Sequence, residues 1–237
     1  MEKVTEIISL LKKEFPGRDP KPAKSDPLDV LIATMLSQNT TDKTSYRAFM
    51  NIKNDIGDWK TVLDTPLSRL KKAVRVCGLA EQKARNIKNL LNTLKKEKGQ
   101  LNLNYLKKLS DEEIYNDLLR YNGIGYKTIT CLLAFSLGRD VFPVDTHVHR
   151  LANRLGIVKT AAADKTFEKA KELIPKGKKF LLHTLLIRFG RKICKAKNPL
   201  CGSCILYDIC GYEEKETRHS LSAKIPVDNN FIILEHV

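Results

Sequence analysis

Four clustered cysteines, a lysine just past a pair of glycines, and an aspartate that opens a helix are the residues here whose types and spacing could do chemistry. Cys194, Cys201, Cys204 and Cys210 are separated by six, two and five residues. Packing does not need four thiols so close together, so they point to a metal centre. Zinc usually takes two Cys-x-x-Cys pairs and only one is present, which makes a cubane 4Fe-4S cluster the better match, with zinc the alternative. Lys195 and Lys197 lie in the six-residue gap. A loop tied at both ends by metal ligands would present these cations rigidly, as a phosphate contact or simply as solvated charge. Cys77 and Cys131 sit in apolar helical patterns and read as small buried hydrophobes.

The second constellation is the stretch 118–150, where Gly123-Ile124-Gly125 interrupts a helical pattern and Lys127 follows two residues later. The expected geometry is helix, tight turn, helix, with both glycines in conformations that a side chain would obstruct. Such a turn directs backbone N–H groups outward at a helix start, where the helix dipole favours an anion. Taken alone, a glycine pair fits an ordinary connection equally well. Asp145, followed by Thr146 and His147, opens the next helix, and its minimal role is an N-cap.

The elements that must hold these residues are helices. Apolar periodicity predicts them over 2–14, 27–36, 42–52, 59–63, 66–76, 80–97, 110–121, 145–155, 164–174 and 178–190. Asp26-Pro27 reads as an N-cap with proline at the first helical position, and Ser110 to Glu113 as a capping box. The segment 37–42 breaks the pattern with six small polar residues, Ser37-Gln38-Asn39-Thr40-Thr41-Asp42. Strand signals are nearly absent: 141–144 is short and proline-broken, and 231–235 is isolated. The fold class is all-α. The stretch from 213 to the end has no assigned role, and a docked tail and a partner contact both remain open for its Phe231-Ile232-Ile233-Leu234 run.

A length of 237 residues with 42% hydrophobic content allows one large or two small domains with a real core. A net charge of +15 suggests a polyanionic partner, nucleic acid before an acidic membrane surface, against the alternative of a solvated lysine-rich surface. The N-terminal segment carries acidic residues and an amphipathic period, unlike a signal or transit peptide. No apolar run approaches the length of a bilayer span. A cytoplasmic, intracellular protein is expected, nucleoid-associated in a prokaryote, with reduced thiols that favour metal ligation over disulfides.

Asn122-Gly-Ile-Gly-Tyr-Lys-Thr128, Val144-Asp-Thr-His147 and the cysteine series together resemble the helix–hairpin–helix DNA glycosylases of the endonuclease III family, over about residues 4–212. The resemblance implies a two-lobed all-α fold: a six-helix barrel at 20–136 carrying the hairpin, and an iron–sulfur cluster lobe made from 1–19 and 137–212, with DNA bound across the cleft between them. It implies that Lys127 is the catalytic lysine and Asp145 the catalytic aspartate. Lys127 would attack the sugar C1′ of an extruded nucleotide as a neutral amine, release the base, and form a Schiff base that permits β-elimination. A desolvated lysine at a helix N-terminus should have a lowered pKa, while Asp145 would offset oxocarbenium charge and assist deprotonation. The cluster would not react; it would fold the 194–210 loop and aim Lys195 and Lys197.

The DNA contacts implied are Gly123, Ile124, Gly125 and Tyr126 of the hairpin, Gln38 or Asn39 as an amide wedge in the vacated duplex position, Lys195, Lys197, and His147 as a phosphate contact or part of a cap. Two positions depart from the family pattern: Asn122 where proline is usual and Tyr126 where arginine is common. Leu36-Ser-Gln-Asn39 and Phe142-Pro-Val-Asp-Thr146 are also similar to plant methylcytosine glycosylases. The expected activity is therefore a monomeric base-excision glycosylase and abasic-site lyase on damaged or modified pyrimidines in double-stranded DNA. The alternatives are a mismatch or modified-base glycosylase with a weak lyase step, and a non-catalytic DNA-binding scaffold.

Overall fold

The two most apolar helices of the sequence, α2 (Pro27–Leu36) and α8 (Tyr126–Phe135), pack against each other. Nine of the ten residues of α2 and eight of the ten of α8 are buried, as expected for helices that are hydrophobic all round. The computed structural model describes residues 1–215 and 233–235. It divides into two compact units, one of Pro22–Arg139 together with 233–235, the other of Met1–Lys21 together with 140–215.

In the first unit, α2 and α8 are surrounded by α3 (Asp42–Asp55), α4 (Trp59–Asp64), α5 (Leu67–Val74), α6 (Ala80–Lys98) and α7 (Asp111–Leu118). α2 packs on α3, α6 and α8, α5 bridges α3 and α6, and α7 lies on α8. The local signals work as the residue types dictate. Asp26 accepts hydrogen bonds from the Leu28 and Asp29 N–H groups, with Pro27 in the first turn, and Ser110 and Glu113 close a reciprocal capping box. α7 ends at Leu118, short of the 121 predicted, because the chain must already turn into the hairpin. At the far end of α2, the buried Lys83 Nζ donates to the Leu36 and Cys77 carbonyls, each at 2.8 Å. Burial, the larger cause, pulls its ammonium pKa down, and the Cys77 thiol opposes that shift. A cation on a helix C-terminus offsets the exposed carbonyl dipoles there.

The second unit is built on α11 (Lys179–Lys192), where ten of fourteen residues are buried; α1 (Glu2–Glu14) and α9 (Thr146–Arg154) pack on it, and α10 (Ala163–Ala170) packs on α9. α10 stops four residues earlier than the periodicity predicted and α11 continues two further. No strand forms among the described residues. Residues 141–144 run extended without a ladder, and bury Phe142 and Val144. The isolated apolar signal at 231–235 is not a strand where it is described: Ile233–Glu235 is a single 3-10 turn. Its first two residues lie outside the described ones, as does 216–230 of the stretch for which no role was read.

Candidate active site and cluster loop

The hairpin follows from two different glycines. Gly123 has φ +82, a conformation that strains any side chain, and a Cβ there would also push against the Asn86 amide. Gly125 departs from expectation. Its φ of −120 and ψ of 179 are ordinary extended backbone, and a Cβ would meet nothing within 4 Å. Between them Ile124 is buried and anchors the turn in its own unit. Gly125 is the N-cap of α8 and supplies no capping side chain, so the first-turn N–H groups are not claimed by one. A bare helix start of this kind favours an anion.

Substitution separates the two roles. Gly123→Ala should lower stability by about 1–2 kcal/mol through left-handed strain, read as a fall in melting temperature. Gly125→Ala should leave melting nearly unchanged and weaken binding of duplex DNA in a titration.

Lys127 lies in the first turn of α8, with its side chain exposed. That corrects the expected desolvation: burial begins one residue later, at Thr128, where the helix enters the core. Tyr126 beside it is 59% exposed. Its ring lies 5.4 Å from that of Tyr115, whose hydroxyl shares a 2.6 Å hydrogen bond with Thr130.

The polar junction 37–41 splits into two roles. Gln38 Nε2 donates to the Gly123 carbonyl at 2.8 Å, bracing the hairpin from inside its own unit. Asn39 is exposed and left-handed, at φ 54. Leu79, between the helices expected over 66–76 and 80–97, is also left-handed at φ 49 and is 52% exposed. A leucine held outward on a left-handed turn after Gly78 leaves a large apolar side chain about half exposed. The signal available for it was an apolar residue at the turn position, outside the periodicity of α6.

In the second unit, Asp145 is the N-cap of α9, and its Oδ1 accepts from the Val148 N–H at 2.7 Å. The cap considered for His147 is therefore made by Asp145. The His147 ring turns inward instead: its Nδ1 lies 3.2 Å from Arg150 Nη2. Burial, the leading cause, holds its pKa below the ordinary histidine range, and Asp145 opposes that shift. A Cβ on Gly190 would sit 3.1 Å from His147 Nδ1, from Arg150 Nη2 and from Leu151 Cδ1, so α9 packs tightly over this glycine and a side chain there would require those three to shift.

α9 also grips the cysteine loop. Arg150 Nη2 donates to the Cys194 carbonyl at 2.9 Å and to the Gly190 carbonyl at 3.1 Å. Arg154 Nη1 donates to the Lys195 carbonyl at 2.7 Å and approaches Cys194 Sγ at 3.5 Å, while Nη2 donates to the Ala196 carbonyl at 3.1 Å. The Arg154 guanidinium stacks on Tyr212, 4.2 Å from its centroid. Lys195 and Lys197 are exposed on the loop so held.

The donor set fits a cluster better than a single ion. All four loop cysteines are free thiols and half-buried. The Cys204 thiol is pushed up to about 12, chiefly by burial, and Cys194, Cys210 and Cys201 push it the same way. One Cys-x-x-Cys pair with two longer intervals departs from the paired knuckles usual for zinc and suits a thiolate-bound cubane.

Among the described residues, no helix is long and apolar enough to cross a membrane. A sequence model of the HhH-GPD superfamily base excision DNA repair proteins matches residues 32–176, and one of the iron–sulfur binding domain of endonuclease III matches residues 194–210. Endonuclease III of Thermotoga maritima is 32% identical over 207 residues, covering 87% of this chain and 93% of that protein. An inferred DNA glycosylase of Arabidopsis thaliana is 45% identical over 168 residues, 70% of this chain, and the chain spans 57% of that relative's length. Among solved structures, a non-covalent endonuclease III–DNA complex superimposes with a TM-score of 0.75 at 27% identity, covering 88% of this chain and 94% of that one. A thermostable thymine-DNA glycosylase shares the fold, with a TM-score of 0.73 at 23% identity and coverage of 90% and 98%.

Proposed function

The chain belongs to the HhH-GPD superfamily of base excision DNA repair proteins, with the iron–sulfur domain of endonuclease III, and on that footing we propose that it excises damaged or modified pyrimidines from double-stranded DNA and cleaves the abasic strand by β-elimination. It is a DNA glycosylase and lyase that binds DNA. The observation that carries the residue assignment is the uncapped start of α8, which offers N–H groups to a phosphate and, in the same first turn, an exposed primary amine.

In this reading the hairpin backbone anchors a strand phosphate and Lys127 Nζ reaches the adjoining sugar. The neutral amine attacks C1′ as the glycosidic bond breaks, and the base leaves with a proton. Loss of the second amine proton and opening of the sugar ring give the imine. Removal of a C2′ proton then breaks the C3′–O bond and releases the 3′ strand segment. Asp145 carries the carboxylate that offsets the charge on the sugar and accepts a proton. Asn39 and Leu79, both outward on left-handed turns, occupy the duplex position vacated by the extruded nucleotide; apolar and amide wedges are common where bases are unstacked. Lys195 and Lys197 contact backbone phosphate from the cluster loop, and the protein acts as a monomer.

The test is a panel of duplexes that carry oxidised, deaminated, alkylated or mismatched bases, scored for base release and strand cleavage, with borohydride added to trap the imine. Release confined to pyrimidines, with a covalent adduct, is the expected result. Base release without any adduct would remove the lyase step, and release of purines alone would remove the substrate class.

Cys194, Cys201, Cys204 and Cys210 hold the 4Fe-4S cluster. Its contribution is to fold and fix the loop rather than to react. Purified protein should carry about four irons per chain and the broad visible absorption of thiolate-bound iron. Cys204→Ser should lose the colour and yield little soluble protein; a colourless, zinc-loaded and fully active preparation would contradict this.

A further inference from the structure

The apolar residues near the C-terminus play no part in the chemistry described, yet they are not idle. Ile233 and Leu234 are 2% and 6% exposed, and their 3-10 turn packs on α2 and α3. The Ile233 N–H donates to Asp42 Oδ2 at 3.2 Å, a bond between residues 191 positions apart in sequence. Asp42 is the first residue of α3, directly after the junction that carries Asn39. The other end of that junction is also pinned, since Lys83 Nζ holds the Leu36 carbonyl at the end of α2.

We propose that Ile233 and Leu234 form a strap that positions the α2–α3 junction, and with it Asn39, for entry into the duplex. The physical reason lies in Asn39 itself. Asparagine tolerates the left-handed region better than most residues but does not hold itself there, so its outward path at φ 54 depends on how the chain on either side of it is fixed. Thr41 caps α3 by accepting from the Thr44 N–H, which sets the helix direction but not the path that leads into it. The strap adds what the local sequence lacks: an apolar clamp over both helices, and a hydrogen bond to the carboxylate at the first turn of α3. Ile233 and Leu234 are thus positioning residues that act on the wedge and do not touch the reacting atoms. The proposal rests on the reading of the junction as the DNA-entering segment.

The experiment compares strand cleavage at one abasic site in a duplex and in a single-stranded oligonucleotide, under single-turnover conditions. A single strand leaves no duplex position to fill, so the wedge is not required there. The variants are Ile233→Asp, the milder Ile233→Ala in case the first folds poorly, and a chain ending at Lys215. Ile233→Val serves as the conservative control. Loss of the strap should cut the duplex rate by about ten- to a hundredfold, the scale of an ångström-level misplacement, while the single-strand rate stays near that of the parent. Ile233→Val should restore the duplex rate. Equal losses on both substrates, with a lowered melting temperature, would make the strap a plain stabiliser and overturn the proposal; so would unchanged rates on both. Asn39→Ala is run beside them. If it leaves the duplex to single-strand ratio at the parental value, the junction reading has failed rather than the strap, whereas a lowered ratio with Asn39→Ala and an unchanged one with Ile233→Ala sinks the strap alone.

Discussion

Lys127→Gln should abolish the covalent adduct with abasic-site DNA and lower strand cleavage by about 10³-fold or more, the scale on which removing a nucleophile is felt. Glutamine keeps the length and polarity of the side chain but has no lone pair basic enough to attack C1′. Lys127 is exposed at a helix start and takes no part in the core. The substitution should therefore change stability by no more than about 0.5 kcal/mol, and a melting curve matching that of the parent closes the unfolding explanation. Duplex binding should survive in large part, because the hairpin N–H groups come from the backbone. Borohydride trapping followed by denaturing electrophoresis reads the outcome. A variant that still traps as well as the parent places the nucleophile elsewhere.

Asp145→Asn is the sharper substitution at the second residue, because Asp145 has a structural role that must be kept apart from its chemistry. Its Oδ1 caps α9 through Val148. Asparagine is as good an N-cap as aspartate, so the helix should hold, with only the charge–dipole part, about 0.3–1 kcal/mol, removed. What disappears is the carboxylate charge. Base release should then fall by about 10²–10⁴-fold with the melting temperature almost unmoved. Asp145→Ala should lose the same activity and about 1 kcal/mol of stability besides, because the Val148 N–H loses its acceptor. If Asp145→Asn excises bases at the parental rate, Asp145 is a cap and nothing more. The readout is single-turnover base release on a lesion duplex, paired with thermal denaturation of each variant.

The candidate groups were legible without coordinates, because they are written in local spacing. The cysteine intervals, the Gly-x-Gly turn followed by Lys127, and the aspartate before a helix are all patterns within one or two turns of chain, where residue type and geometry are tightly coupled. The helices were legible for the same reason: the apolar period of α2 and α8 marks them as core, and Asp26 and Ser110 mark where helices begin. Burial at Cys77 and Cys131 followed from period alone.

Only the tertiary structure decided what depends on groups far apart in sequence or on a backbone conformation that residue type does not announce. Leu79 and Asn39 stand outward on left-handed backbone, rare for a leucine and tolerated by an asparagine, and no periodicity encodes that. The two hairpin glycines look alike in sequence, yet a left-handed backbone with Asn86 from α6 beside it sets one of them apart, while the other is extended and in open space. Gln38 and Asn39 are neighbours of similar chemistry, and a carbonyl 85 positions away turns the first into a brace and leaves the second exposed. Lys127 was expected to be desolvated on the strength of its partners in sequence, but burial is a property of what packs overhead, and α8 enters the core only at the next residue. The apolar run near the C-terminus was legible as sticky but not as to where it would stick, since Asp42 and the faces of α2 and α3 lie nearly the whole chain away. Sequence thus determined which candidate groups the chain offers, because an amine, a carboxylate and four thiols are residue types at short spacing. Their exposure, bracing and aim came from long-range packing, which no short stretch of chain contains.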